Sequence, residues 1–179
     1  MRIVALIGAS GSGKSTVEAE IERLGYKRII SYTTREMRPG EENNVDYHFV
    51  SKEQFQSLID NNVLLEHTEY NGNMYGAPKP VGAQRYVVVV EENGLDAFKS
   101  RYGSQVFSVL LDVAYDTALH RMANARGTEA AVDRLYNDRE FYNGSKFADR
   151  IRNKVDYVAD ASKKPFDVAL DILVKAMAK

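Results

Sequence analysis

Five apolar residues in a row, Ile3-Val4-Ala5-Leu6-Ile7, stop abruptly at Gly8. A β-branched run this short, ended by glycine, predicts a strand buried on both faces. Behind it Val17, Ile21 and Leu24 recur at helical spacing, which predicts a helix over Val17–Leu24. The rhythm then repeats. Arg28–Ser31, Tyr86–Val90 and Val106–Leu111 predict further strands, and the four consecutive valines from Val87 to Val90 mark one covered on both sides. Ala114–Met122, Ala130–Phe141 and Phe166–Ala178 carry apolar residues at helical intervals. Strands alternating with helices specify an α/β fold around a mainly parallel sheet.

One stretch breaks the pattern. From Tyr32 to Pro80 the chain is polar, and turn formers punctuate it at Pro39-Gly40, Asn43-Asn44 and Asn71-Gly72-Asn73. It reads as an insertion of residues 32–80 with a small sheet of its own, set into a core formed by 1–31 and 81–179.

Composition narrows the function. The 179 residues are 44% hydrophobic and 27% charged, enough for one domain with a real core. Lys plus Arg (24) nearly balance Asp plus Glu (25), for a net charge of -1. A nucleic-acid polymer is therefore not an expected partner, since such binders neutralise many phosphates. An anionic ligand must be held by a local cationic cluster. The absence of cysteine excludes disulfides, thiolate nucleophiles and cysteine-bound zinc. No apolar run reaches membrane length, and the first is too short for a signal peptide. A cytoplasmic protein without a membrane partner is the expectation.

The chemistry starts where the first strand stops. Gly8-Ala9-Ser10-Gly11-Ser12-Gly13-Lys14-Ser15-Thr16 fits G-x-x-x-x-G-K-[ST] between a strand and a helix. Its glycines let backbone N–H groups curl round an anion at a helix N-terminus. Lys14 is suited to the β- and γ-phosphates of a nucleoside triphosphate, and the Ser15 hydroxyl to Mg²⁺. Asn153-Lys154-Val155-Asp156 fits the guanine-reading N-K-x-D of GTPases. That motif should end a buried strand, however, and the polar Asp149-Arg150-Ile151-Arg152 precedes it here, so a turn is the better reading.

A second set of residues follows in order: Ser31-x-Thr33-Thr34-Arg35-x-x-Arg38-Pro39-Gly40-Glu41, then Asp46-Tyr47-His48-Phe49, Glu66, and Gly72-Asn73-Met74-Tyr75-Gly76. Behind a phosphate loop, this series resembles the guanylate kinase family. The likeness is close to Gly76 and looser beyond. The chemistry agrees. Two arginines three apart suit the oxygens of a monophosphate, and phenolic hydroxyls can join them. A carboxylate matches the adjacent N1–H and N2–H₂ donors of guanine. The resemblance implies that Ser31, Arg35, Arg38, Tyr47, Glu66 and Tyr75 bind GMP. It also implies a three-layer phosphate-loop core, a mixed-sheet GMP-binding insertion and a lid. His48 and His67 have no place in this chemistry.

This chain departs from the family at several points. Ala77 stands where a serine or threonine usually helps read the base, and Pro78 and Pro80 interrupt a segment that is normally helical. After the valine strand, where the family carries aspartates facing the base and the metal, the first carboxylate is Glu91. It aligns with the acceptor-side aspartate. The lid, about 123–133, is short, with Arg121, Arg126 and Arg134 as its expected phosphate-neutralising cations. Ala159-Asp160 falls where the family's adenine-side strand ends. The expected activity is ATP-dependent phosphorylation of GMP, and of dGMP, with Mg²⁺. The alternatives are a kinase for a modified nucleotide or a ribose phosphate, and an interaction module without catalysis, which the intact loop argues against. The sequence does not specify an oligomeric state.

Overall fold

The structure is a computed structural model that describes residues 1–70, 72–141 and 146–179, with the side chains of 126, 134 and 140 left out. Strand β1 (Arg2–Ile7) lies at the centre of a five-stranded sheet. Its neighbours are β7 (Arg85–Val89) and β8 (Val106–Asp112), with β2 (Lys27–Arg28) beyond β7 and β9 (Tyr157–Asp160) beyond β8. Every pairing is parallel, as the continuous apolar runs require.

The alternation of side chains builds one core on each face. Val4, Leu6, Val87 and Val109 meet helices α1 (Lys14–Arg23) and α7 (Pro165–Ala178) through Val17, Ile21 and Ile172. Ile3, Ala5, Ile7 and Val88 point the other way, to Leu95 and Phe98 of α3 (Glu92–Tyr102) and Ile151 of α6 (Lys146–Lys154). Helices on both faces of a parallel sheet make the three layers expected.

The insertion has its own sheet. Strands β3 (Tyr32–Thr33), β4 (His48–Phe49), β5 (Leu64–Tyr70) and β6 (Asn73–Pro78) run in the order β4-β3-β6-β5. The β3–β4 pair is parallel and the others antiparallel, so the sheet is mixed. Phe55 of helix α2 (Lys52–Asp60) is buried close to it: a β-carbon on Gly76 of β6 would stand 3.1 Å from the Phe55 ring. A reciprocal capping box starts α2, with Gln54 N–H donating to Ser51 Oγ and Ser51 N–H to the Gln54 side chain.

Several elements differ from the sequence expectation. Arg28–Ser31 is not one strand: pairing with β7 ends at Arg28, and the chain enters the second sheet at Tyr32. The departure of the insertion cuts the strand short. Helix α4 (Tyr115–Arg126) runs into the expected lid, and α5 (Thr128–Asn137) leaves it after a one-residue turn at Gly127, so 123–133 is a helical hairpin. A 3-10 turn, Arg139–Phe141, follows α5. No helix among the described residues is long and apolar enough to cross a membrane.

Candidate active site

The carboxyl ends of β7, β1 and β8 open onto one crevice, the place where parallel sheets of this kind bind ligands. The phosphate loop leaves β1 there and ends at Gly13, which caps α1 with a left-handed backbone. Close packing explains Gly11: a β-carbon would stand 2.6 Å from the Ala118 carbonyl of α4. Lys14 folds back, and its Nζ donates to Gly8 O at 2.6 Å and Ala9 O at 2.9 Å. The Ser12 hydroxyl is buried within the loop without a partner, whereas the Ser15 and Thr16 side chains are exposed.

Two residues reach the loop from elsewhere. Arg121 of α4 donates to Ala161 O at 2.9 Å, and its Nη1 lies 3.7 Å from where a β-carbon on Gly13 would be. Asp138, just after α5, accepts the Ser10 backbone N–H at 2.5 Å. That second contact leaves no mark in the sequence, since its partners are 128 residues apart. Arg126 ends α4 and Arg134 lies in α5, with side chains outside the described residues.

In the insertion, Arg35 is the hub. Its guanidinium lies 5.6 Å from the Tyr47 ring centroid and 5.5 Å from that of Phe49, and Tyr47 packs edge-on to Tyr75 at 6.1 Å. Glu41, whose place in the sequence marks no role for it, organises this group. One carboxylate oxygen accepts from Arg35 at 2.8 Å and the other from the Arg38 backbone N–H at 2.8 Å. Burial works against a charge on Glu41, but these bonds win and its pKa is lowered. Burial pushes the Tyr47 phenol up, so it stays protonated and able to donate.

Glu66 lies on β5, beside the first turn of α3. Ala77 N–H donates to its Oε1 at 3.1 Å, and Gly94 of α3 is so close that a β-carbon there would lie 3.2 Å from the Glu66 carboxyl carbon. Burial raises its pKa, the Ala77 bond opposes this, and the nearby Glu91 charge adds to the rise. Glu91, exposed at the start of α3, is near enough for its charge to act on Glu66. Ser31 is half-buried between β2 and β3, and its carbonyl accepts from His48 N–H at 2.9 Å. Asp156 of the N-K-x-D stretch is bound to Ser108 N–H and Oγ before β9 begins, at the opposite end of the sheet from the phosphate loop. It belongs to the fold.

The metal expectation can be tested on the donor set. No group of three His, Asp or Glu among the described residues could cage an ion. Mg²⁺ arriving on a nucleotide keeps several waters and takes phosphate oxygens with one or two protein ligands; the exposed Ser15 hydroxyl at the loop is a donor that would fit it.

The guanylate kinase family model matches residues 1–131. A guanylate kinase of Oceanobacillus iheyensis is 34% identical over 176 residues, spanning 88% of this chain and 82% of its own. This chain belongs to the guanylate kinase family. A guanylate kinase of Lactobacillus johnsonii is 33% identical over 174 residues, covering 87% of this chain and 85% of that one. Among solved structures, a guanylate kinase from Anaplasma phagocytophilum superposes with a TM-score of 0.71 at 23% identity, over 99% of this chain and 85% of that one. A gluconokinase from Sinorhizobium meliloti 1021 gives 0.51 at 16% identity, covering 99% and 92%. The structural likenesses bear on the fold: a guanylate kinase fold with a parallel core and a separate mixed sheet.

Proposed function

We propose that this guanylate kinase transfers the γ-phosphoryl group of ATP to GMP, and to dGMP, giving ADP and GDP or dGDP. One observation carries the reading. A single insertion presents a cation ringed by phenols (Arg35, Tyr47, Tyr75) and a half-buried carboxylate (Glu66) against the first turn of α3. That combination suits a molecule that carries both a phosphate and a guanine.

In this reading residues 32–80 form the acceptor-binding part, 1–31 and 81–179 the core, and 123–133 the lid. The loop from Gly8 to Thr16 takes the triphosphate, and Lys14 exchanges its two carbonyls for phosphate oxygens. Arg35 and Arg38 fork onto the acceptor phosphate with the Tyr47 and Tyr75 hydroxyls. Glu66 and Ser31 read the base, with Glu91 beside them. Mg²⁺, held through Ser15, would neutralise charge on the β- and γ-phosphates. An acceptor oxygen attacks the γ-phosphorus in line as the bond to the ADP oxygen breaks, so the protein supplies position and charge, not a nucleophile. Arg121, Arg126 and Arg134 counter the charge on the moving group. Closure of insertion and lid keeps water from taking the acceptor's place. Dependence on ATP and the cysteine-free chain support a cytoplasmic setting.

The test is ADP release with a panel of acceptors. GMP and dGMP should support turnover, while AMP, UMP and ribose 5-phosphate should not. Equal use of AMP would overturn the base-reading assignment, and no turnover with any acceptor would overturn the kinase.

A further inference from the structure

Glu18 is a carboxylate that neither fold nor proposed chemistry has yet used. It sits on α1, four residues after Lys14 and three after Ser15, so helical geometry sets its β-carbon about 5–6 Å from theirs on the same side of the helix. It is 5% exposed. Sheet topology explains what it meets. Val90 N–H bonds to β1, so alternation turns Val89 N–H outward, toward the place β2 would occupy. But β2 has already left, its pairing ended at Arg28. The Glu18 carboxylate accepts the Val89 N–H and an ion pair from Arg28 at 3.1 Å.

The pair leaves Arg28 Nε buried without a partner, so Glu18 satisfies only part of that guanidinium. The other charged group facing the pair is Glu22 of the same helix, and the Glu18 charge is felt at the Tyr47 phenol of the insertion. Glu18 thus lies one helical turn from the start of α1 and within electrostatic reach of Tyr47. Phosphate-loop enzymes hold Mg²⁺ with the loop hydroxyl and a carboxylate at the end of the adjacent strand. Here the strand residue that faces α1 is Val89, which packs on the same core as Val17 and Ile21.

We propose that Glu18 is the carboxylate on the magnesium side of this site, holding metal-bound water from the helix where the strand offers only Val89. The inference rests on the triphosphate-binding part of the proposed function. Its test is calorimetric titration of ADP, first in EDTA and then in excess Mg²⁺, using the wild type, Glu18→Gln, and Glu18→Gln combined with Val89→Asp. Glu18→Gln should reduce the Mg²⁺-dependent gain in ADP affinity by about tenfold, the scale seen when a partner of metal-bound groups is removed. Its affinity in EDTA should stay within about twofold of wild type, on the same reasoning. Val89→Asp should restore part of the gain, since it returns a carboxylate to the same crevice. A full gain in Glu18→Gln would overturn the proposal. So would an equal loss in EDTA and in Mg²⁺, which would assign Glu18 to holding Arg28 alone. No acceptor enters this measurement, so it can fail while GMP is phosphorylated, and succeed if another acceptor is preferred.

Discussion

In the proposed role Glu66 must be ionised to accept two guanine donors, yet its burial works against the charge. Glu66→Gln keeps the shape and loses the charged acceptor, which also turns an N–H₂ toward donors. A charge-assisted pair contributes about 1.5–3 kcal/mol, so KM for GMP should rise about tenfold to a hundredfold while KM for ATP stays level. Steady-state kinetics with each substrate varied in turn check this. Glu18 makes a different forecast. Burial lifts its pKa to about 7, against an ordinary value of 4.5, with Arg28 pulling the other way. Its folded form holds its proton more tightly than the unfolded chain does. Wild-type stability relative to Glu18→Gln should therefore be greatest below about pH 4.5 and fall as pH rises toward 7, by at most about 3 kcal/mol. Urea melts of both proteins at several pH values would read the slope, and a flat difference would contradict it.

Among the elements, α3 and the α4–α5 hairpin carry the sharper tests. Gly94 lies in the first turn of α3 where alanine would favour the helix by about 1 kcal/mol. An added β-carbon would also press on Glu66 at 3.2 Å and on Val90 at 3.1 Å. Gly94→Ala should thus leave the melting temperature nearly unchanged while raising KM for GMP. Asp138 offers the opposite sign. Its carboxylate holds the Ser10 N–H of the very loop a triphosphate must enter. Asp138→Ala should tighten ATP binding several-fold in a titration, because an anion no longer competes at that loop. These same elements show what the sequence could and could not reveal. The phosphate loop was legible because nine adjacent residues carry the whole signal. Helix α2 was hidden because it buries Phe55 and little else, and α6, Lys146–Lys154, buries only Ala148 and Ile151 among charges. Glu41 and Asp138 were missed for another reason: their importance lies in partners that only folding brings near. Asp138 and Ser10 are 128 residues apart along the chain, and a single acidic residue carries no mark of that.

For the molecule as a whole, the division of labour follows from the two sheets. The core sheet was readable from apolar runs because both its faces are covered. The insertion's two-residue strands, β3 and β4, have no such run and are fixed by pairing with β6 and with each other. Its site was readable only as an ordered series of residue types, which chemistry could interpret but periodicity could not.

The way Lys14 and Arg35 are held has a consequence for ionic strength. Lys14 leans on two carbonyls and Arg35 on Glu41, while Asp138 sits at the loop. Nucleotide entry at these points is an exchange of one polar partner for another, and few mobile ions from solution are freed or trapped. Ordinary ligand binding to bare cations weakens steeply with salt because such ions compete. Here the dependence of GMP affinity on potassium chloride between about 50 and 200 mM should be shallow, and it should steepen in Glu41→Ala, where salt anions would have to neutralise Arg35 instead.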